Sequence, residues 1–338
     1  MSHGLTTTGD ERFAGQTIHG RWMAESFRPG LVSVIVPTHN RGDLISQSLD
    51  AVWRQTYRPI ELLIVDDGST DHTSGVVDRW RRQHGGDERF AVTYRRQSRR
   101  GAPSARNLGL IESCGEFIQF LDSDDVFSPH KFRLHVECLQ KQRADFAWSD
   151  WELVEHERLG AFVRANFRQP SETALHEPVA SVRRLSRLPT KAVVALFRRS
   201  VCRAIGPWHE SLIRHQDWEY TTRMIACGAN AVRVDCGLPL YVFRQHDQGQ
   251  IGDLRKRRKA AVEARLMAAL AAEENASRIG ESGLSEQAMR RRIRSRFFSI
   301  MQFALRANCP REFVAAWSGL RRNLPWRASR AGTRDTAA

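Results

Sequence analysis

No apolar run in the sequence approaches the ~20 residues that span a bilayer. The longest apolar stretches are residues 31–37, 192–197 and 297–305. The opening residues, MSHGLTTTGDERFAGQ, contain no apolar signal core. These two absences lead to the expectation of a protein made and kept in the cytoplasm. Cysteine pairs are missing as well: Cys114, Cys138, Cys202, Cys227, Cys236 and Cys309 include no CxxC. That argues against a zinc site and for reduced thiols in the core. There is no GxxxxGK[ST], so P-loop nucleotide hydrolysis is unsupported, and no GxGxxG follows the first apolar strand to cradle a nicotinamide cofactor. No internal repeat is visible.

What is present is an ordinary globular composition. The chain has 338 residues, 41% of them hydrophobic and 27% charged, enough for one large domain with an appendage. Its charge is uneven. Residues 251–338 carry 19 Lys+Arg against 8 Asp+Glu, or +11 of the net +14. The basicity therefore belongs to the tail, and a basic tail meets polyanions: nucleic acid, an anionic membrane surface or an acidic polymer.

Residues 1–30 are polar and read as a loose N-terminal segment. LVSVIVP, IELLIV, FAVTY and FIQFL then read as strands, with helical spacing between them. Ser128-Pro129 is placed to start a helix running through Gln142. Continuous apolar strands alternating with helices predict an α/β domain with a largely parallel sheet. DFAW is a further candidate strand. Residues 155–189 are polar and are expected to form loops and short pieces. KAVVALF, AVRVD and LPLYVF read as strands, and residues 217–227 as a helix ending at Gly228. From Leu254 onward the pattern is helical.

Three of these strands end in polar punctuation: Thr38-His39-Asn40, Asp66-Asp67 and Asp122-Ser123-Asp124. Parallel strands bring all three to one sheet edge, where ligands of open α/β sheets gather. In an extended segment Asp122 and Asp124 share a face. Two such close carboxylates raise each other's proton affinity unless a cation compensates. Hard Mg²⁺ or Mn²⁺ takes one or two carboxylates and leaves its other positions to water and phosphates, so a metal-bound diphosphate fits. Asp66 or Asp67 stands where an acid grips a ribose or base in other nucleotide-binding sheets. Ordinary turn chemistry explains each cluster taken singly; their convergence favours a ligand.

VSVIVPTHNR, LIVDDGSTD, GAPSARNLGL and FLDSDD, in this order, resemble the donor-binding half of family 2 glycosyltransferases. AIGPWHESL, RHQDWEYTTRM and LYVFRQH continue the likeness, which covers about residues 31–250. The resemblance implies a GT-A fold: a Rossmann-like nucleotide-sugar-binding half (31–150) fused to an acceptor half (151–250) around a mixed sheet. A helical basic extension, 251–338, follows. The resemblance also implies a nucleotide-sugar donor, commonly of uridine, a hydroxyl acceptor on a carbohydrate, lipid-linked or other molecule, Mg²⁺ or Mn²⁺, and inversion. By position it sets Pro37, Thr38 and Asn40 against the nucleotide, and Asp66, with Asp67 beside it, on the base and ribose. It puts Arg106 and Ser123 near the donor, and Asp122 and Asp124 on metal and diphosphate. Asp217 becomes the catalytic base, and His246 a late metal or pyrophosphate neighbour. Two departures stand out: Gln216 where Glu is usual, and His209 where Asp is common.

The expected reaction is one displacement, with Asp217 taking the acceptor's proton. An acid in the first turn of a helix is otherwise explained by the helix dipole. Trp148, Trp151, Trp208 and Trp218 flank the expected acceptor side as sugar platforms or as core. The two departures leave room for an inactive sugar-nucleotide binder. A nucleotidyltransferase lacks its Gly-rich loop here, since PTHNRGD follows the first strand. The arginine-rich helix around residues 290–305 reads either as a surface for anionic membrane or as a helix packed on the domain. No nucleic-acid partner is expected, because no recognition motif accompanies the basic tail.

Overall fold

A computed structural model describes residues 22–167, 191–246, 258–279, 283–306 and 308–322. Ten strands and ten α-helices lie among them. The first half alternates as β1 (Arg28–Thr38), α1 (Ile45–Trp53), β2 (Ile60–Asp66), α2 (Thr73–His84), β3 (Phe90–Arg96), α3 (Ala102–Glu112) and β4 (Gly115–Phe120). β1, β2 and β4 are buried on both faces, which is why they read as unbroken apolar runs rather than alternations, whereas β3, at the sheet edge, is buried only at Phe90. Gly109 of α3 sits against Ile35 so closely that any Cβ would collide with that side chain. The absence of a side chain there lets α3 lie flat on β1.

Next come β5 (Val126–Phe127), α4 (Lys131–Lys141), β6 (Phe146–Ser149), β7 (Trp151–Glu155) and α5 (His156–Asn166). After a 3-10 turn at Ala192–Val194 follow β8 (Ala195–Arg198), α6 (Arg199–Ile205), α7 (Gln216–Ala226), β9 (Ala231–Val234) and β10 (Tyr241–Gln245). The chain closes with α8 (Arg258–Ile279), α9 (Gly283–Arg306) and α10 (Pro310–Arg322).

The main sheet has seven strands in the order β3-β2-β1-β4-β8-β6-β9. β3, β2, β1 and β4 are parallel, whereas β8 runs antiparallel to both β4 and β6. The expectation of a largely parallel sheet holds for the first half, and the mixed sheet holds for the whole. A second sheet, β5-β10-β7, crosses beside it. Parallel register aligns Thr38 with Asp66 and Ile35 with Phe120, so β1, β2 and β4 end on one edge.

Several local expectations are corrected. Residues 156–166 form a helix, not a loop, although its surface is polar and only Leu159 is buried. The rest of the polar segment, 168–190, lies outside the described residues, as do residues 1–21. KAVVALF is not one strand: its first half winds the 3-10 turn and only Ala195–Arg198 pairs in the sheet. α4 begins at Lys131 rather than at Pro129, and Ser128 Oγ instead accepts from the His130 amide. The six cysteines are all free, four of them buried.

Candidate active site

The edge formed by β1, β2 and β4 faces a cavity of about 850 Å³, within the usual range for small-ligand sites. Pro37, Thr38, Asn40, Asp67, Arg106, Asp122, Ser123, Asp124 and Asp217 all line it. Nine of the eleven residues singled out from the sequence thus converge on one space. Asp66 and His246 are not on its wall.

Asp66 is fully buried. Its Oδ1 accepts from the Ser69 amide at 2.7 Å and its Oδ2 from the Tyr94 hydroxyl at 2.6 Å. It therefore ties the loop after β2 to β3. Asp67 is the acid on the cavity wall. It accepts from Gln97 Nε2 and from the Arg100 and Gly101 amides, each at 2.7 Å. Between it and Ser69, Gly68 takes φ +73°, a left-handed turn suited to glycine. Asn40, at φ +50°, accepts from the Thr70 amide at 2.8 Å and so locks the loops after β1 and β2 together. Thr38 Oγ1 is buried and has no hydrogen-bond partner among the described residues. A buried hydroxyl in that state is costly unless something else meets it.

The acidic stretch FLDSDD is a turn rather than an extension of β4. The Asp125 amide donates to Asp122 O at 3.1 Å. The three acids consequently diverge. Asp122 Oδ1 accepts from Arg106 Nη2 at 2.7 Å. Asp124 Oδ2 lies 3.1 Å from His246 Nε2 and 3.5 Å from Arg41 Nε. Burial raises the Asp124 pKa, but the His246 hydrogen bond and the Arg41 charge outweigh it, and the net direction is down. Asp125 is turned inward, accepting from the Tyr241 hydroxyl at 2.8 Å and the Arg244 amide at 2.9 Å. Burial, then the Asp124 and Asp122 charges, hold its proton well above the ordinary carboxylate range. Among the described residues no three His, Cys, Asp or Glu side chains gather closely enough to hold a metal unaided. Asp122 and Asp124 are acids of the kind a hard cation takes together with phosphate and water, but each is engaged by its own partner, Asp122 by Arg106 and Asp124 by His246 and Arg41.

Arg106 is the hub. It is buried and stacks 4.7 Å above the Trp208 ring. It donates to Asp122 with one nitrogen and to Gln216 Oε1, at 2.7 Å, with the other. Burial disfavours its charge, yet Asp122 and Asp217 more than restore it. Gln216 uses its amide nitrogen on Leu212 O at 2.7 Å and Ile213 O at 3.1 Å. One side chain thus joins the acid after β4 to the loop before α7.

Asp217 sits in the first turn of α7, half-buried, with Oδ1 accepting from the Ala192 amide at 2.9 Å. Burial raises its pKa; Arg106 opposes this and Asp122 adds to it, leaving a net rise. The 3-10 turn that supplies the Ala192 amide is itself held from beneath. Gln119 Nε2 donates to Val193 O at 2.6 Å and Lys131 Nζ to Val194 O at 3.0 Å. Lys191, next in the chain to Ala192 and also on the cavity wall, stands 3.3 Å from the Phe243 ring centroid and 4.5 Å from that of Trp151. Of the four tryptophans considered as platforms, Trp208 is core, stacked on Tyr220, and Trp218 lies under Arg292 and Arg296. Trp148 is half-buried, and Trp151 is 44% exposed.

Lys191, Gln119 and Lys131 carry no sequence signal of their own, whereas Tyr241 lies in the LYVFRQH stretch. Asp125 had one: a third acid in a row of which only two can face out.

A mixed sheet with a nucleotide-type edge, a second small sheet across from it and an acid-lined cavity between them define the GT-A class of fold. The chain belongs to glycosyl transferase family 2, whose family model matches residues 33–205. It is 34% identical over 134 residues to the Escherichia coli UDP-Glc:alpha-D-GlcNAc-diphosphoundecaprenol beta-1,3-glucosyltransferase WfgD, a match covering 39% of this chain and 51% of WfgD. The chain spans about half the length, or less, of the first curated relatives it matches. Among solved structures it resembles S. aureus TarS 1-349 in complex with UDP-GlcNAc, with TM-score 0.57, 15% identity, and 88% and 93% of the two chains covered. It also resembles the mannosyltransferase PcManGT of Pyrobaculum calidifontis in complex with GDP-Man and Mn²⁺, with TM-score 0.51, 18% identity and 86% of each chain covered. At such identities these two likenesses concern the fold.

Proposed function

We propose that this chain transfers a sugar from a nucleoside-diphosphate sugar to a hydroxyl acceptor, with inversion, in the building of a surface polysaccharide or glycolipid. The observation that carries the reading is the single cavity in which Asp67, Asp122 and Asp124 stand on the strand edge while Asp217, with its raised pKa, stands on α7. The names of WfgD, TarS and PcManGT support the donor class, and WfgD supports a lipid-linked acceptor.

In this reading the unpartnered Thr38 hydroxyl and Pro37 meet the nucleoside, with Asp67 beside them. Arg41, Arg99 and Arg100 line the same cavity and face the diphosphate with positive charge. Asp122 and Asp124, with His246 beside them, are the residues that would hold Mg²⁺ or Mn²⁺, and the cation supplies charge neutralisation at the departing diphosphate. Arg106 orients Asp122 through their hydrogen bond. Asp217 takes the proton of the attacking hydroxyl. Proton transfer to a positioned base is worth about 10²–10⁴-fold in such roles, and the raised pKa brings the basicity of Asp217 closer to what a base needs near neutrality. One displacement from the face opposite the diphosphate inverts the anomeric centre.

The test is a panel of uridine, guanosine and other nucleoside-diphosphate sugars, read as a rise in melting temperature with Mn²⁺ and with chelator. One nucleotide class should stabilise the chain, and more so with the cation. No stabilisation by any donor would overturn the reading.

A further inference from the structure

Residues 290–306 of α9 contain six arginines and no carboxylate. The helix divides them. Ile293, Phe297, Ile300 and Ala304 are buried, and Arg292 hydrogen-bonds to Thr221 and Thr222 of α7. On the other side Arg291, Arg294, Phe298, Met301 and Leu305 recur at three- and four-residue steps, the spacing of one helical stripe. Phe298 is 47% and Leu305 70% exposed. On α10 a second stripe runs Arg311, Val314, Trp317, Arg321, with Val314 61% and Trp317 46% exposed.

Two contacts orient these stripes. Arg265 of α8 covers Phe303 of α9, and Glu273 of α8 pairs with Arg322 of α10. At 100° per residue, Phe298 and Leu305 lie roughly 140–160° from Phe303, and Trp317 lies about 140° from Arg322. The α9 stripe therefore turns away from α8; on α10 Trp317 does so too, while Val314 lies about 80° and Arg311 about 20° from Arg322, and the exposure of Val314 and Trp317 marks the solvent side of that helix. Gly319 packs directly on Phe297, so α9 and α10 lie close together and the two stripes belong to one helical hairpin.

We infer that this face of α9 and α10 docks on an anionic lipid surface. The arginines meet headgroup phosphates, while Phe298, Leu305, Val314 and Trp317 enter the headgroup–acyl boundary. Charge complementarity selects this occupant. A second copy would press arginine stripes against arginine stripes. A nucleic acid would satisfy the arginines and leave Leu305 and Val314 in water. The helices lie on the bilayer rather than through it, since no described helix is long and apolar enough to cross. The inference stands apart from the proposed reaction and does not need it.

The experiment is co-sedimentation of the full chain with phosphatidylcholine vesicles, with and without phosphatidylglycerol, at low and high salt. The expected result is binding to the anionic vesicles that weakens with salt. Arg291→Gln with Arg294→Gln should weaken it by about fivefold per arginine at low salt. Phe298→Ser with Leu305→Ser should abolish the binding that survives high salt. Arg291, Phe298 and Leu305 are exposed and Arg294 is half-buried, and unchanged circular-dichroism melting checks that the variants fold. The inference is overturned if the full chain stays with the supernatant, or if both variants sediment like the parent. It is equally overturned if binding appears only after residues 323–338 are removed, if the substitutions abolish self-association instead, or if they abolish oligonucleotide binding and leave vesicle binding intact.

Discussion

Gln216→Glu restores the residue that the family usually carries before the base, and the geometry predicts that it harms this chain. The amide orientation is forced: Arg106 has only donors, so Gln216 presents Oε1 to it and Nε2 to Leu212 O and Ile213 O. A carboxylate keeps the first bond and loses the other two. Two lost hydrogen bonds cost about 2 kcal/mol, and the bond to Arg106, now charge-assisted on both sides, returns about 1 kcal/mol. The oxygen replacing Nε2 also faces two carbonyl oxygens. The net destabilisation is about 1–2 kcal/mol, or several degrees of melting temperature. The second effect is electrostatic. A new anion beside Asp217 raises its pKa further. A base works only when deprotonated, so activity is lost at a higher pH as the solution is acidified. The assay is a melting curve together with the acid limb of kcat/KM. A variant as stable as the parent, with its acid limb unmoved or displaced to lower pH, would refute the reasoning.

Three further outcomes follow from the same contacts. Asp217→Asn keeps the acceptor for the Ala192 amide and removes a charge that folding disfavours. It should therefore raise stability at neutral pH, with the gain vanishing below the ordinary carboxylate pKa; equal melting temperatures at neutral pH would count against the raised pKa. Asp124→Ala should reduce donor stabilisation in Mn²⁺ to the level seen in chelator, and an undiminished Mn²⁺ effect would remove Asp124 from that role. Lys131 is buried, and burial pushes its pKa well below 10.5. The unfolded chain binds that proton more tightly, so this group makes stability rise with pH up to about that value. Lys131→Met should flatten the rise in denaturant midpoints across alkaline pH, and an unchanged slope would show that Lys131 keeps its proton on folding.

The strands that build the donor edge were legible because burial on both faces leaves an unmistakable apolar run. Their polar ends were legible because parallel strands must present them together. What the pattern did not carry was the direction of each acid. FLDSDD read as an extension predicts Asp122 and Asp124 side by side, whereas the turn sends them to separate partners, Arg106 for one and the pair Arg41 and His246 for the other. The Asp124–His246 contact joins residues far apart in the chain, which local spacing cannot encode. The same holds for KAVVALF. Its first half has strand composition but winds into a 3-10 turn under hydrogen bonds from Gln119 and Lys131, a tertiary effect overriding local preference. Helix α5 was missed for a different reason: Leu159, Phe162 and Val163 make an apolar stripe of barely one turn, with only Leu159 fully buried, inside an otherwise polar segment.

The central claim is that one cavity binds the donor on its strand edge and performs the chemistry with Asp217. The most direct measurement follows donor affinity and donor turnover in the same samples of parent and Asp217→Asn, with Mn²⁺ present. The account predicts matched affinity, with turnover in the variant lower by about 10²–10⁴-fold. Matched affinity with matched turnover would contradict it.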